Sequence, residues 1–334
     1  MKLSELGEFG LIEVIQGIVE KSRNPKYDSW RRLMVGIGDD AAAWQGGDYA
    51  QLATTDTLVQ GTHFDLALTT WKELGWKALA VNLSDIAAMG GTPEYALLSL
   101  SLPGDLEVEA VTDFCRGMVE LADRFQVAIA GGNLASAPTV VITLTVIGSS
   151  KDNRLLMRSA AAPGEQIAVT GFLGLAAAGL KMLREKIDLD SATAAILRQA
   201  LLRPTPRITE GQVLLRQGVN AAIDISDGLI ADLDHICQAS KVAATINADR
   251  LPVHPSVKAS FPDYRELALS GGEDYELLFT ADKAIMEKLK HTLDCPLSVI
   301  GELTREKLPR GVTLLDSKGN AVTTPKTGWE HFKR

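Results

Sequence analysis

The sequence has few of the features that build secreted or membrane proteins. Its cysteines, Cys115, Cys237 and Cys295, are odd in number and far apart, which excludes a CxxC metal site and argues against a disulfide framework. No apolar run is long enough to span a bilayer, and the opening residues, MKLSELGEFG, lack the charged start and apolar stretch of a signal peptide. These absences predict a cytoplasmic protein that has no membrane partner.

Positive charge is also scarce. The 34 Lys and Arg residues face 42 Asp and Glu residues, which gives a net charge of -8, and no basic cluster stands out. Nucleic-acid binding is therefore not expected. Because the protein's own field repels anions, a bound phosphate would need accompanying cations.

The common phosphate-binding loops are missing as well. The sequence contains no GxxxxGK[ST], and no GxGxxG opens a helix after a strand. A weaker candidate is TGFLGLAAAG at residues 170–179, a glycine-bearing turn into a helix that could present amides to a phosphate. The pattern favours a plain tight turn, because glycine turns are common.

The chain, at 334 residues, is long enough for two domains with substantial apolar cores. A polar stretch with Pro-Gly punctuation at 149–165 predicts a boundary, with domains at 1–150 and 151–334. Strand and helix patterns alternate on both sides, which predicts an α/β (α+β) fold. Helices are predicted over 4–22, 70–89, 107–125, much of 173–217, 229–240 and 282–292. Ser4 is predicted to cap the first of them. Strands are predicted on both sides of the glycine turn in 34–44, and within 50–59, 94–103, 127–133, 138–148, 166–171, 219–228, 275–281 and 296–303.

Acidic residues lie where a chain usually packs its core. The stretch AAIDISDGLIAD at 221–232 sets Asp224, Asp227 and Asp232 in an apolar frame, and a buried carboxylate without a partner is very costly. Other acids follow glycine turns, end strands or sit inside an apolar helix: Asp39, Asp40, Asp56, Asp85, Glu273 and Asp274. The sequence therefore predicts that something positive lies opposite these carboxylates.

Each acid alone has a structural explanation. Asp227 could cap a helix, Asp40 could close a turn, and Asp85 could be a buried helix residue that is hydrogen-bonded. Together they favour a site for several Mg²⁺ ions, because hard cations prefer carboxylate, hydroxyl and phosphate oxygens. Two or more such ions could neutralise a polyphosphate and its transition state.

Three further residues stay open on residue patterns alone. His63 could contact a substrate, although an incidental loop histidine is the favoured interpretation. Arg158 could bind a nucleotide phosphate or form a salt bridge between the domains. Trp329 could stack on an aromatic ligand or pin the C-terminal segment.

Several long motifs in one order resemble a known family. They are GEFGLI, GIGDDAA, TTDTLVQGTHF, KALAVNLSDIAAMGGTP, RPTPR, AIDISDGLIADL and ALSGGEDYELLF from residue 7 to 279, followed by GWEHF. The sequence resembles the thiamine-monophosphate kinases, in the superfamily of aminoimidazole ribonucleotide synthetase. The resemblance implies transfer of phosphate from ATP to thiamine monophosphate, with several Mg²⁺ ions. It also implies a two-domain fold whose N-terminal sheets pair in a homodimer, with the active site between the domains.

The resemblance also implies residue roles. Metal ligands would be Asp40, Thr54, Thr55, Asp56, Asp85, Asn133, Asp224 and Asp227. ATP would contact Gly132, Asn133, Arg158 and Ser226, and thiamine monophosphate would contact His63, Glu273 and Trp329. The interpretation of His63 is thereby reversed. No general base is implied, because the acceptor phosphate is already ionised near neutral pH.

The segment GGNLAS at 131–136 departs from the family pattern GGDTTRG. Asn133 replaces a metal-binding Asp; its amide oxygen can still ligate Mg²⁺ but carries no charge, and the arginine is absent. Two alternatives follow. One is a sister synthetase, against which stand the ending HFKR, without a terminal cysteine, and a first cysteine as late as Cys115. The other is a nucleotide-binding paralogue without turnover.

Overall fold

The structure is a computed structural model that describes residues 2–305, 311–322 and 328–332. Its helices are α1 (Leu3–Lys21), α2 (Asp28–Arg32), α3 (Trp71–Ala88), α4 (Val108–Phe125), α5 (Leu175–Glu185), α6 (Ser191–Leu202), α7 (Ile208–Gln217), α8 (Leu229–Ser240), α9 (Pro255–Ser260), α10 (Tyr264–Ser270) and α11 (Lys283–Leu289). Its strands are β1 (Leu33–Val35), β2 (Ala42–Gln45), β3 (Tyr49–Val59), β4 (Thr92–Leu102), β5 (Ala128–Ser136), β6 (Val141–Lys151), β7 (Gln166–Thr170), β8 (Ala221–Asp224), β9 (Ala243–Asn247), β10 (Leu277–Ala281), β11 (Leu297–Thr304), β12 (Val312–Leu315) and β13 (Ala321–Val322).

The N-terminal sheet has six strands in the order β1-β2-β3-β6-β4-β5. All neighbours are antiparallel except β4 and β5. Burial alternates along β6, as expected for a sheet that is covered on one face only. The covered face packs on α3, while Tyr49, Tyr95 and Leu97 are exposed on the strands of the sheet.

Helix α3 is the central element of the molecule. It begins with a capping box between Thr70 and Glu73, and 14 of its 18 residues are buried. It packs so closely on α4 that a Cβ atom at Gly75 would lie 1.9 Å from the Phe114 carbonyl oxygen, so only glycine fits there. The helix also contacts β3 and β6 on one side and α7 and β8 on the other, so both halves of the chain share it.

The C-terminal sheet has seven strands in the order β13-β12-β9-β11-β7-β10-β8. Strand β8 is its edge next to α3, and this places Asp224 beside the N-terminal half. One continuous apolar core joins the halves, since Leu79 and Leu83 of α3 belong to the same buried cluster as Ala222 and Phe279. A second core lies within the C-terminal half.

The structure confirms the predicted α/β class and corrects details. Helix α1 begins after Lys2 rather than at a Ser4 cap, and it is kinked at Gly7, whose φ is 76°. The predicted helical region 173–217 contains three helices, and strands β9, β12 and β13 were not predicted. The division at residue 150 remains a proposal, which the end of β6 at Lys151 and the start of β7 at Gln166 support. Among the described residues, no helix combines the length and apolar character needed to cross a membrane.

Candidate active site

Three carboxylates from three separate elements meet where the two halves join. Asp40 follows β1 in a turn, Asp85 is in the last turn of α3, and Asp224 ends β8. Oxygens of all three lie within 4.8 Å of one another. Asp40 and Asp224 are buried, and Asp85 is half-buried. We call Asp40, Asp85 and Asp224 the acidic cluster.

Hydroxyl groups orient two members of the acidic cluster. Thr54 of β3 donates to Asp85 at 2.5 Å, and Ser84 of α3 donates to Asp224 at 2.6 Å. Asp56 belongs to the same strand as Thr54, and its backbone N–H donates to the Asn82 side chain at 3.1 Å. Neutral donors fix the positions of these carboxylates, but they do not balance their charge.

The electrostatics show that this charge is unbalanced. Burial raises the pKa of Asp224 to about 8 and that of Asp56 to about 6. Burial also raises the pKa of Asp85 well above its usual value, and the nearby carboxylates Asp56, Asp224 and Asp40 raise it further. A carboxylate with such a pKa lacks an adequate positive partner.

Arg158 supplies part of the missing positive charge. Its guanidinium donates to Asp40 Oδ1 at 2.6 Å, and its backbone N–H donates to Asp39 Oδ2 at 3.2 Å. The other oxygen of Asp40, Oδ2, is buried and has no hydrogen-bond partner among the described residues. The sequence offered a salt bridge as one role for Arg158, and the structure shows such a bridge to Asp40 of the N-terminal half.

The donor atoms of the acidic cluster fit Mg²⁺. They are carboxylate oxygens with Thr54 and Asp56 beside them, the ligand chemistry that this hard cation prefers. The orphaned Asp40 Oδ2 is an acceptor that a cation would satisfy.

A second acidic group lies at the start of α8. Oxygen or nitrogen atoms of Asp227, Asp232 and His235 lie within 4.8 Å of one another. Asp232 accepts the backbone N–H groups of Asp227 and Gly228 at 3.2 and 3.0 Å. Asp232 thus satisfies two amides of the turn that leads into α8, and the cap residue of this helix is Gly228 rather than Asp227. Burial and then the charge of Glu8 raise the pKa of Asp227 to about 6.

The loop residues next to this group connect to the ALSGGEDYELLF segment. Ser226, half-buried between β8 and α8, accepts the backbone N–H of Glu273 at 2.8 Å through its carbonyl oxygen. Glu273 has a φ of 69°, a conformation that is uncommon outside glycine. The backbone therefore holds Glu273 in a fixed direction.

Lys77 is a site residue that the sequence analysis missed. Its ammonium group lies 2.6 Å from the Glu273 carboxylate, and its side chain is only 5% exposed. It lies two turns before Asp85 on α3, within the apolar run WKALAVNL. A lysine inside such a run was the available signal, because lysine is almost never fully buried without a partner.

We expect Lys77→Met to lower the free energy of unfolding by about 3 kcal/mol, because it leaves Glu273 partly buried without its cation. Adding Glu273→Gln should recover part of the loss. The control is Lys72→Met on the same helix, where the exposed pair with Glu120 should contribute less than about 1 kcal/mol. Urea unfolding of the variants measures these differences, and equal losses at Lys72 and Lys77 would contradict the assignment.

The C-terminal segment 328–332, which we call the strap, lies over the side of the site that contains His63. The Trp329 backbone N–H donates to the Asp227 carbonyl oxygen at 3.1 Å, and the His331 backbone N–H donates to Glu8 at 3.0 Å. The rings of His63 and His331 lie 5.0 Å apart. Trp329 is 53% exposed, so its ring is accessible.

Three predicted ligands lie apart from the acidic cluster. Thr55 is on the opposite face of β3 from Thr54, and its hydroxyl donates to the Leu144 carbonyl oxygen at 3.1 Å. Gly132 and Asn133 are exposed on the edge strand β5, three strand spacings from β3, or about 14 Å. The roles of these three residues remain predictions, and the contacts of the single chain do not support them.

In the turn TGFLGLAAAG, a side chain of the protein itself already occupies two of the amides at the helix start. The Gly174 and Ala176 backbone N–H groups donate to the Asp274 carboxylate at 2.7 and 3.3 Å. Asp274 therefore has a structural role, because its carboxylate accepts backbone N–H groups at the start of α5 although it is distant in the sequence. This geometry agrees with the prediction that residues 170–179 form a plain tight turn rather than a phosphate-binding turn.

Comparison with known proteins places both halves in one superfamily. Residues 38–150 match the model of the AIR synthase related protein N-terminal domain, and residues 162–312 match the corresponding C-terminal domain. Solved structures of the hydrogenase maturation protein HypE share the fold, for example at a TM-score of 0.67 and 18% identity.

Curated relatives narrow the family. The thiamine-monophosphate kinase of Aquifex aeolicus is 37% identical and covers 99% of this chain and all of the relative. That of Escherichia coli K12 is 39% identical over 98% of each chain. A solved structure of AaThiL complexed with AMPPCP and TMP superposes with a TM-score of 0.85 at 36% identity, covering 99% of each chain. The chain therefore belongs to the family of thiamine-monophosphate kinases and is a kinase.

Proposed function

We propose that the chain transfers the γ-phosphoryl group of ATP directly to thiamine monophosphate, giving ADP and thiamine diphosphate, with the help of several Mg²⁺ ions. The observation that carries this proposal is the acidic cluster, whose buried carboxylates lack sufficient positive partners. Such a cluster suits a reaction in which two anionic phosphates must approach each other.

The metal ligands in this proposal come from both halves. Asp40, Asp85 and Asp224 would hold Mg²⁺, with Asp56 and Thr54 beside them and Asp227 at the start of α8. Bound Mg²⁺ would neutralise the polyphosphate and stabilise the charge that develops during transfer. Thr55 and Asn133 stay as further proposed ligands on the strength of the family resemblance.

The remaining residues divide between the two substrates. Arg158 carries a fixed positive charge at the acidic cluster, which suits contact with a nucleotide phosphate, and Ser226 lies between Asp224 and Asp227. We also assign Gly132 and Asn133 to ATP on the basis of the resemblance.

On the other side, His63, Glu273 and Trp329 would contact thiamine monophosphate. Glu273 forms an ion pair with Lys77, and both of these charges interact electrostatically with His63. The backbone N–H of Trp329 donates to the Asp227 carbonyl oxygen and holds Trp329 beside Asp227. The AaThiL structure, complexed with AMPPCP and TMP, supports an ATP-like ligand and thiamine monophosphate as the substrate pair.

Chemistry in this site requires positioning rather than a general base. The acceptor phosphate is already ionised near neutral pH, so no side chain has to remove a proton from it. Arg158 and Lys77 reduce the negative field, and the fixed carboxylates set the geometry for in-line attack. A trapped phosphoenzyme would contradict direct transfer.

The direct test is incubation of the purified protein with ATP, MgCl₂ and thiamine monophosphate, followed by fluorescence chromatography for thiamine diphosphate. We expect product only when all three components are present. ATP binding without product would overturn the proposal in favour of a non-catalytic paralogue, and loop 131–136 would then be the first segment to restore to the family pattern.

We further propose a cytoplasmic homodimer that pairs through the open face of the N-terminal sheet. The support is the exposure of Tyr49, Tyr95 and Leu97, large apolar side chains that a water-exposed face rarely groups together. Strand β5, also exposed, brings Leu134 to the edge of the same sheet at 75% exposure.

For this dimer, Leu97→Glu should raise the dissociation constant at least about a hundredfold, because it buries an unpaired carboxylate in an apolar interface. Light scattering after size-exclusion chromatography measures the mass. The matched control is Val108→Glu, an exposed apolar position at the start of α4 and outside the sheet. A Leu97→Glu variant that keeps the wild-type mass across dilution would rule out this interface.

A further inference from the structure

His331 stands out because three separate parts of the site meet at this residue. Its ring nitrogen Nε2 lies 3.2 Å from Nε2 of His63, and its ring meets Trp329 edge-on at 5.9 Å. Its backbone N–H donates to Glu8 of α1. The strap is thereby fixed to the N-terminal half through His331 and to the C-terminal half through the Trp329 bond to Asp227.

The hydrogen bonds determine how the two imidazoles must share their protons. The Val59 backbone N–H donates to Nδ1 of His63 at 3.0 Å, so Nδ1 carries no proton. A neutral His63 ring then has its proton on Nε2. Since Nε2 of His331 is within hydrogen-bond distance, His63 donates and His331 accepts. Burial of His63, which lowers its pKa, agrees with a neutral ring.

The environment of His63 makes this bond consequential. Lys77 and Glu273 both act on His63 electrostatically, so the ring lies close to the buried ion pair. Without an acceptor at Nε2, only the bond from the Val59 N–H would orient the imidazole, and the ring could tilt about that bond. His331 also limits the tilt of the Trp329 ring through the edge contact.

We propose that His331 is a positioning residue for the thiamine end of the site, accepting the His63 Nε2–H and steadying Trp329. This inference rests on the proposed function, because His63 and Trp329 meet the substrate only under that function. His331 itself need not touch a reacting atom. Its effect is to lower the cost of ordering the two side chains that would contact thiamine monophosphate.

Two substitutions distinguish the role of His331 as a hydrogen-bond acceptor from its role as an aromatic ring. His331→Phe keeps an aromatic edge for Trp329 but offers no acceptor, whereas His331→Gln places an amide oxygen near the position of Nε2. We expect His331→Phe to raise KM for thiamine monophosphate about tenfold, with kcat and KM for ATP changed less than about twofold. His331→Gln should stay within about threefold of the wild type in all three constants. Phe332→Leu, which alters the same strap but keeps His331, should behave as the wild type does.

A nitrogen-15 NMR spectrum of the imidazoles gives a readout that is independent of activity. Because the Val59 N–H sets the tautomer, the wild type and both variants should show His63 protonated at Nε2, assigned by the absence of that signal in His63→Asn. The Nε2–H proton should be hydrogen-bonded and slow to exchange in the wild type and His331→Gln, and shifted and fast to exchange in His331→Phe. An unchanged Nε2–H signal and KM in His331→Phe would overturn the proposal, as would equal losses and equally lowered Tm in the Phe and Gln variants. If the wild type makes no thiamine diphosphate, the proposed function fails, and the Nε2–H signals alone then support or overturn the positioning role.

Discussion

Asp224→Asn is expected to lower kcat about a thousandfold while leaving the protein folded. Asp224 is 2% exposed and lies in the acidic cluster with Asp40 and Asp85, so the substitution removes a metal-ligating charge at the point where the two halves meet. The amide can still accept from Ser84, because an Asn side chain keeps one carbonyl oxygen. The Mg²⁺-free variant should melt at a higher temperature than the wild type at pH 8, because one of several mutually repelling carboxylates is gone.

Steady-state assays at saturating ATP and thiamine monophosphate test the expected loss of kcat in Asp224→Asn. Tm measurements in EDTA test the expected rise in melting temperature. The control is Asp263→Asn, which removes a carboxylate that pairs with Lys181 away from the acidic cluster. That variant should keep kcat within about twofold. Wild-type turnover in Asp224→Asn would sink the assignment of Asp224 as a metal ligand.

Without Mg²⁺, the protein should become less stable as the pH rises from about 4 to about 8. The folded-state pKa values of Asp224, Asp56 and Asp227 are raised to about 8, about 6 and about 6, above the usual value of 3.8. The folded state therefore binds more protons than the unfolded state in this window. The associated stability is fully present below pH 4 and is lost as the pH passes each raised pKa.

Mg²⁺ should reverse this trend. It binds the deprotonated carboxylates of the folded chain, so stabilisation should grow with pH and reach about 2.7 kcal/mol at a concentration one hundred times the dissociation constant. Thermal melts in EDTA and in MgCl₂ at pH 6 and pH 8 measure the difference, and Asp224→Asn should reduce it. A Tm shift that is absent, or equal at both pH values, would count against a Mg²⁺ site here.

Much of the fold could be predicted because its longest elements have strong local signals. The predicted helices at 70–89 and 107–125 match α3 and α4 within two residues, and the alternating pattern of 94–103 corresponds to β4 within two residues. Short strands such as β12 and β13 were not predicted, because they form by pairing with other strands rather than from a local sequence pattern. The Ser4 cap was wrong because the helix begins two residues earlier than that pattern suggests, with Lys2 as the cap residue and Glu5 completing a capping box.

The site was harder to predict residue by residue. The carboxylates of the acidic cluster were found because acids in apolar frames are conspicuous in any sequence. Lys77 and His331 were not, because their importance depends on partners at Glu273 and His63, which are distant in the chain. The strand face that Thr55 occupies also followed only from the register of β3 with β6.

The shared burial of α3 limits how the molecule can move. Since Leu79 and Leu83 pack in one core with Ala222 and Phe279, swinging the halves apart like a hinge would expose apolar surface on both sides at once. Under the proposed function, substrate exchange would then depend on smaller movements, and none of the five residues of the strap is buried in either core. Turnover would be gated by movement of the strap, with the two halves acting as a single rigid frame.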